Sequence, residues 1–234
     1  FWLLAGHVSR LREPGSYFVH EVGRESVLVV RDKDDQAREG QKGGPVRAFH
    51  NHCRHRGTRL CTEHQGTLGT AIQCPYHAWT YGLDGALRAA PNMQGVAGFG
   101  RADYPLRPVA RAEGEGFSSA NLAADPHPFA EALPALQQRF GHWRLAELAS
   151  AHQTMYEVES NWKLFFHNYS ECYHCPNVHP HLNKLTPYRN TENDLDEGPV
   201  LGGPMWMSNP EGSMTMDGNR CALPFAGLTA EERG

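Results

Sequence analysis

The chain has 234 residues, 40% hydrophobic and 21% charged, the balance of an ordinary folded protein with room for one large domain or two small ones. A net charge of −4 gives no electrostatic footing for nucleic-acid binding. No apolar run approaches the ~20 residues that span a bilayer. No secretory leader is read at the start, and because the chain opens at Phe1 without Met a short preceding piece is expected.

In chain order, Tyr17-Phe18-Val19 and Val27-Leu28-Val29-Val30 are β-rich and flank the turn signal Gly23, which predicts two strands within residues 16–32. Asp32 to Gly44 is a polar loop. Val46 to Phe49 and Ala71 to Gln73 read as short strands leading into Cys-containing loops, and Gly82-Leu83-Asp84-Gly85 as a hairpin turn. Frequent turns between short strands predict a small antiparallel β domain that ends near residue 123. Asp125-Pro126-His127-Pro128 marks a boundary. Phe129 to Phe140 has helical periodicity, with Pro134 as an interruption. Val158 to Cys172 is a second predicted helix, because Trp162, Phe165, Phe166 and Tyr169 fall at i, i+3, i+4 and i+7. Pro176 and Pro180 should end or kink it. Thr191 to Gly218, rich in Gly, Pro, Asn and Asp, reads as loop. The expected class is α+β, with domains at 1–124 and 125–234.

Histidine and cysteine are concentrated where the chemistry should be. Nine of the 14 histidines lie between His50 and His77 or between His167 and His181, and five of the six cysteines share those stretches. Nothing marks the chain as secreted, so metal chemistry in a cytoplasmic protein is favoured over a disulfide framework.

The first set is Cys53-Arg54-His55, an 18-residue gap, then Cys74-Pro75-Tyr76-His77. Each half offers one thiolate and one imidazole. That mixed pairing matches a Rieske [2Fe–2S] centre, where two Cys bind one iron and two His the other. A structural zinc site with the same four ligands is the rival reading, although zinc fingers pair Cys with Cys and His with His along the chain. His50, His52 and His64 read as loop or surface residues, and Cys61 as a small buried hydrophobe.

The second set is Glu171, His174 and His179. Glu171 and His174 should share a helix face. A break at Pro176 could swing His179 back toward His174. Two His and a carboxylate on one face of an iron leave open positions for O2 and substrate. Cys172 and Cys175 form a C-x-x-C that could equally be a redox or zinc pair.

Taken together, Cys53-Arg54-His55-Arg56-Gly57, Cys74-Pro75-Tyr76-His77-Ala78-Trp79 and Asn161-Trp162-Lys163 leading to Glu171-Cys172-Tyr173-His174 and His179 resemble the large (α) subunit of Rieske non-haem iron oxygenases. The resemblance implies an antiparallel Rieske domain followed by a helix-grip catalytic domain. It implies that Cys53, His55, Cys74 and His77 bind the cluster and that His174 and His179 bind a mononuclear Fe(II). Glu171 would be the bridging carboxylate, contacting His77 of an adjacent chain in a head-to-tail homotrimer and His174 of its own. Trp79 would pack beside the cluster. An NAD(P)H-dependent flavin/iron–sulfur reductase would supply the electrons.

Three departures go with it. The gap between the cluster halves is long, consistent with an insertion near Thr62 to Gly69. Gly116 to Asn121 is more polar than the strand usual there. The third iron ligand, an Asp, is not assigned to Asp194, Asp196 or Asp217 and is expected beyond Gly234, so that the catalytic domain reads as truncated.

Within the family, Glu at 171 and the Glu-Cys-Tyr-His-Cys string look most like oxygenases of glycine betaine, stachydrine and carnitine, which act on a carbon next to nitrogen. A cationic substrate needs an aromatic or carboxylate-lined pocket, for which Phe165, Phe166, Met205 and Trp206 are candidates. The alternatives are an aromatic-ring-hydroxylating dioxygenase of the same family and a Rieske ferredoxin that only carries electrons.

Overall fold

The computed structural model describes residues 1–33, 44–131, 133–192, 203 and 205–209. Most of the loop expected from Thr191 onward, with Asp194, Asp196, Asp217 and Cys221, lies outside the described residues. The chain divides into two compact units, Phe1–Pro134 with Arg144–Ala151 and Ala135–Trp143 with His152–Gly234.

The first unit is antiparallel β. Its strands are β1 (Leu3–His7), β2 (Ser16–Val22), β3 (Glu25–Arg31), β4 (Val46–His50), β5 (Gln65–Thr67), β6 (Ala71–Gln73), β7 (Thr80–Gly82), β8 (Leu87–Ala89), β9 (Ala110–Gly114) and β10 (Phe117–Asn121). They form three sheets, ordered β4-β3-β2-β5, β6-β7-β8 and β1-β10-β9. The predicted pair around Gly23 is the β2–β3 hairpin, with Tyr17 opposite Val30 and Val22 opposite Glu25.

Strand β3 explains how one sheet serves two cores. Val27 to Val30 are all fully buried. Strand alternation sends Leu28 and Val30 to the side of Phe49, Cys53, Cys74, Trp79 and Tyr81. Val27 and Val29 go to the opposite side, with Phe18, Ala48, Val109 and Ala120.

Two departures from expectation belong to this unit. The stretch Thr62 to Gly69, read as an inserted loop, contains β5, which pairs with the free edge of β2 through Phe18 and Gln65. The polar segment after Gly116 is nevertheless a strand, β10, at the centre of its sheet. Its buried Ser118 hydroxyl accepts a hydrogen bond from Arg111 Nε at 3.0 Å, so the polar side chain carries no unpaired cost. The turn before it puts Glu115 and Gly116 both at positive φ, the two-residue turn that suits a hairpin.

Helix α1 (Leu133–Phe140) holds Pro134 in its first turn, where no intrahelical N–H bond is lost. Proline therefore starts this helix rather than interrupting it. The second unit contributes α2 (Trp162–Ser170), α3 (Cys175–Val178) and α4 (Pro180–Leu185). Asn161 caps α2 by accepting from Lys163 N. The helix is shorter than the periodicity suggests, since Glu171 is already extended. The apolar stripe of α2 is exposed rather than core, with Trp162, Phe165, Phe166 and Tyr169 all more than half exposed. No helix among the described residues is long and apolar enough to cross a membrane.

Candidate metal centres

The two Cys/His loops are built alike. Cys53 follows β4, and its N–H donates to the Thr58 carbonyl at 2.8 Å while Gly57 N–H returns to the Cys53 carbonyl at 2.9 Å. Cys74 follows β6, and its N–H donates to the Trp79 carbonyl at 2.8 Å while Ala78 N–H returns to the Cys74 carbonyl at 3.1 Å. In both loops the residue four beyond the cysteine takes positive φ, +73° at Gly57 and +57° at Ala78. Each loop therefore turns back at the same step and presents its cysteine inward and its histidine outward.

The result is a layered donor set. Cys53 and Cys74 are buried in the same core cluster. The His55 and His77 rings lie 4.7 Å apart on the exposed side. Trp79, buried, stacks on His55 at 4.9 Å with 9° between the planes. Phe99 and Tyr104 brace the indole edge-on at 5.8 and 5.7 Å. Burial pushes the Cys53 thiol up, and Cys74 adds to this, while a hydrogen bond with Tyr81 pulls it back. Burial, His77 and Arg56 all hold His55 below its ordinary value.

Among the described residues, no three His, Cys, Asp or Glu side chains converge on one point as a single-ion site would require. A Rieske [2Fe–2S] centre takes two Cys at one iron and two His at the other. Two buried thiols beneath two imidazoles fit that group.

The second set is brought together in a different way from that expected. Glu171 is not on the helix with His174. It is the extended residue that ends α2, and His174 caps the start of α3. Even so, Glu171 Oε1 lies 3.6 Å from His174 Nδ1. Pro176 does not break a helix either: it occupies the first turn of α3, and Pro180 that of α4, where a missing N–H is harmless. The single turn of α3 carries the chain from His174 to His179 and brings their rings to 5.3 Å. His174 Nδ1 is buried and has no hydrogen-bond partner among the described residues. A histidine nitrogen withheld from water in this way suits a metal-binding ring whose other nitrogen needs a carboxylate. The pocket candidates Phe165, Phe166, Met205 and Trp206 are all exposed.

Comparison with known proteins fits this arrangement. Residues 1–100 match the model of the Rieske [2Fe-2S] domain, and residues 145–234 match that of the ring hydroxylating alpha subunit catalytic domain. The chain belongs to the Rieske non-haem iron oxygenases. It is 36% identical over 183 residues to the glycine betaine monooxygenase oxygenase subunit of Pseudomonas aeruginosa, covering 78% of this chain and 40% of that one. It superposes with a TM-score of 0.74 and 30% identity on a quaternary ammonium Rieske monooxygenase, over 83% of this chain and 51% of the other. A naphthalene 1,2-dioxygenase from Rhodococcus sp. is more distant, at 26% identity and a TM-score of 0.61, over 79% and 42%. The chain thus spans less than half the length of the curated relative it matches.

Two residues of this Rieske oxygenase chain escaped sequence reasoning. Tyr81, fully buried, accepts the Arg54 N–H at 3.0 Å and sits 3.3 Å from Cys53 Sγ. Burial and the adjacent Cys53 raise its pKa, so it stays protonated. Asn51, also fully buried, donates from Nδ2 to the Ser26 hydroxyl and, at 2.7 Å, to the Cys61 carbonyl, and accepts the Cys61 N–H at 2.9 Å. It thereby clips both ends of the Cys53 loop to β3. Tyr81 carried a usable signal: in a strand it must face the same side as Trp79, two residues earlier. Asn51 carried none. Cys61 is buried as expected, its thiol pushed up to about 11 by burial. His50 lies in β4, 3.4 Å from Glu25.

Proposed function

We propose that this chain belongs to the terminal oxygenase component of a Rieske system that hydroxylates or demethylates a small quaternary ammonium compound. Residues 1–124 would form the Rieske domain and residues 125–234 part of the catalytic domain. Cys53 and Cys74 would ligate one iron of the [2Fe–2S] cluster, His55 and His77 the other, and His174 and His179 the mononuclear iron. When bound, these groups supply one-electron transfer and O2 activation respectively.

The residues of the chain have their own tasks. With Cys53 held as a thiolate ligand, Tyr81 is the donor to Cys53 Sγ, while its oxygen accepts from the Arg54 amide. Trp79 covers one face of His55 and excludes water from it. Glu171 Oε1, 3.6 Å from His174 Nδ1, is placed to become the partner that this nitrogen lacks when the ring binds a metal. In a head-to-tail homotrimer the same carboxylate reaches His77 of a neighbouring chain, a hydrogen-bonded route between subunits. The related quaternary ammonium monooxygenase is itself described as using inter-subunit electron transfer. An NAD(P)H-dependent flavin/iron–sulfur reductase is the expected electron donor, and the cytoplasm the expected compartment.

The observation that carries this reading is the second constellation. An electron carrier has no use for Glu171, His174 and His179 gathered between the end of α2 and the end of α3. Quaternary ammonium substrates are favoured by the likeness to the betaine and carnitine enzymes. The test combines metal analysis and EPR with NAD(P)H consumption in the presence of a partner reductase, across glycine betaine, carnitine and aromatic acids. The reading expects a Rieske signal, iron beyond that in the cluster, and turnover with the quaternary amines. Cluster iron alone would leave an electron carrier, turnover with aromatic acids only would make it a ring hydroxylase, and colourless zinc protein would exclude both.

A further inference from the structure

The C-x-x-C at Cys172 and Cys175 is left without a task by the oxygenase reading. Its geometry is that of a dithiol ready to close. The Cys175 N–H donates to the Cys172 carbonyl at 3.0 Å, which folds residues 172–175 into one tight turn. The two cysteines stand at the two ends of that turn. They differ in access: Cys172 is half-buried, whereas Cys175 is only 5% exposed.

We propose that Cys172 and Cys175 form a peroxide-sensitive modification site that closes to an intramolecular disulfide beside His174. The oxidant is hydrogen peroxide, the two-electron reduction product of O2. The Cys172 thiolate attacks one peroxide oxygen, the O–O bond breaks, and the other oxygen leaves as water, giving a sulfenic acid at Cys172. The Cys175 sulfur then attacks the Cys172 sulfur, its proton leaves with the departing hydroxyl as a second water, and the S–S bond forms. Two thiols are oxidised by two electrons and one peroxide is reduced to two waters, so the step balances. Order follows access, since only Cys172 is open to the reagent. The sulfur chemistry does not depend on which residues hold iron, so a failed iron assignment leaves its outcome unchanged.

The experiment uses the full chain with its cluster in place. The protein is exposed to a few equivalents of hydrogen peroxide, alkylated under denaturing conditions and mapped by peptide mass. The six cysteines should lose two free thiols, both from the peptide carrying Cys172 and Cys175, which becomes lighter by two hydrogens and is restored by dithiothreitol. In Cys175→Ser, Cys172 should instead gain oxygen, because the resolving thiol is gone. In Cys172→Ser, Cys175 should stay alkylatable. Retention of both thiols at peroxide doses that oxidise a free cysteine peptide would overturn the proposal. So would loss of the Cys175 thiol in Cys172→Ser at the wild-type rate.

Discussion

The hydroxyl of Tyr81 touches two parts of the same loop at once, Cys53 Sγ at 3.3 Å and the Arg54 amide at 3.0 Å. The amide donates to the phenolic oxygen, so the phenolic proton is free for sulfur. If Cys53 is a cluster ligand as proposed, a donor to its sulfur would stabilise the reduced, more negative cluster. Tyr81→Phe should therefore lower the reduction potential by about 40 mV, the equivalent of roughly 1 kcal/mol for one electron. Protein-film voltammetry or redox titration followed by EPR reads this directly, and an unchanged potential would mean that the contact has no electronic effect.

Asn51 makes a second prediction. Asn51→Ala strips the Cys61 N–H and carbonyl of their partners inside the core. Two buried groups left unpaired cost roughly 2–4 kcal/mol. The variant should lose cluster absorbance at a lower denaturant concentration than the parent, with Asn51→Asp no better, since a carboxylate cannot donate to the Cys61 carbonyl.

The paired turns predict opposite effects for one methyl group. Gly57→Ala adds a Cβ that meets nothing within 4 Å, so its cost is the left-handed backbone alone, about 1 kcal/mol. Ala78→Gly removes that same strain and should stabilise by a similar amount. Urea midpoints of the two variants should move in opposite directions.

His20 supplies a pH dependence. Burial holds its imidazole below the ordinary 6.5, opposed by Glu21 and aided by Arg10. Between its folded value and 6.5 the unfolded chain binds the extra proton and the folded chain does not, so stability rises with pH across that window. The contribution is complete above 6.5 and is lost as pH falls through the folded value. Comparing His20→Gln with the parent by urea unfolding on both sides of 6.5 isolates it: the parent should weaken more steeply in acid than the variant.

What could be read from sequence divides along a physical line. The gathering of Cys53, His55, Cys74 and His77, the proposed cluster ligands, could be anticipated because few chemistries need those residue types at that spacing. Strands β2 and β3 were legible because alternation and a glycine turn are local signals. Strand β10 was harder, because Ser118 is tolerated in the core only through Arg111, and that pairing belongs to the neighbouring strand. The end of α2 at Ser170 and the role of Pro176 were missed for a related reason. Proline reads equally as a stop or as a first turn, and the choice depends on backbone further along the chain. Asn51 depends on Ser26 and Cys61, 25 and 10 residues away, which no local pattern discloses.

The likeness of the two cysteine loops has a bearing on maturation. Each loop offers one sulfur and one nitrogen, so neither hairpin alone presents more than half of a cluster's protein ligands. On the proposed ligand set, cluster acquisition and the folding of the two loops, with the pairing of β6 and β7, would be linked equilibria, each favouring the other. With the imidazoles outside and the thiols beneath, delivery has one open side. The colour of a loaded protein is then a folding reporter: its bleaching marks the moment at which the two hairpins part.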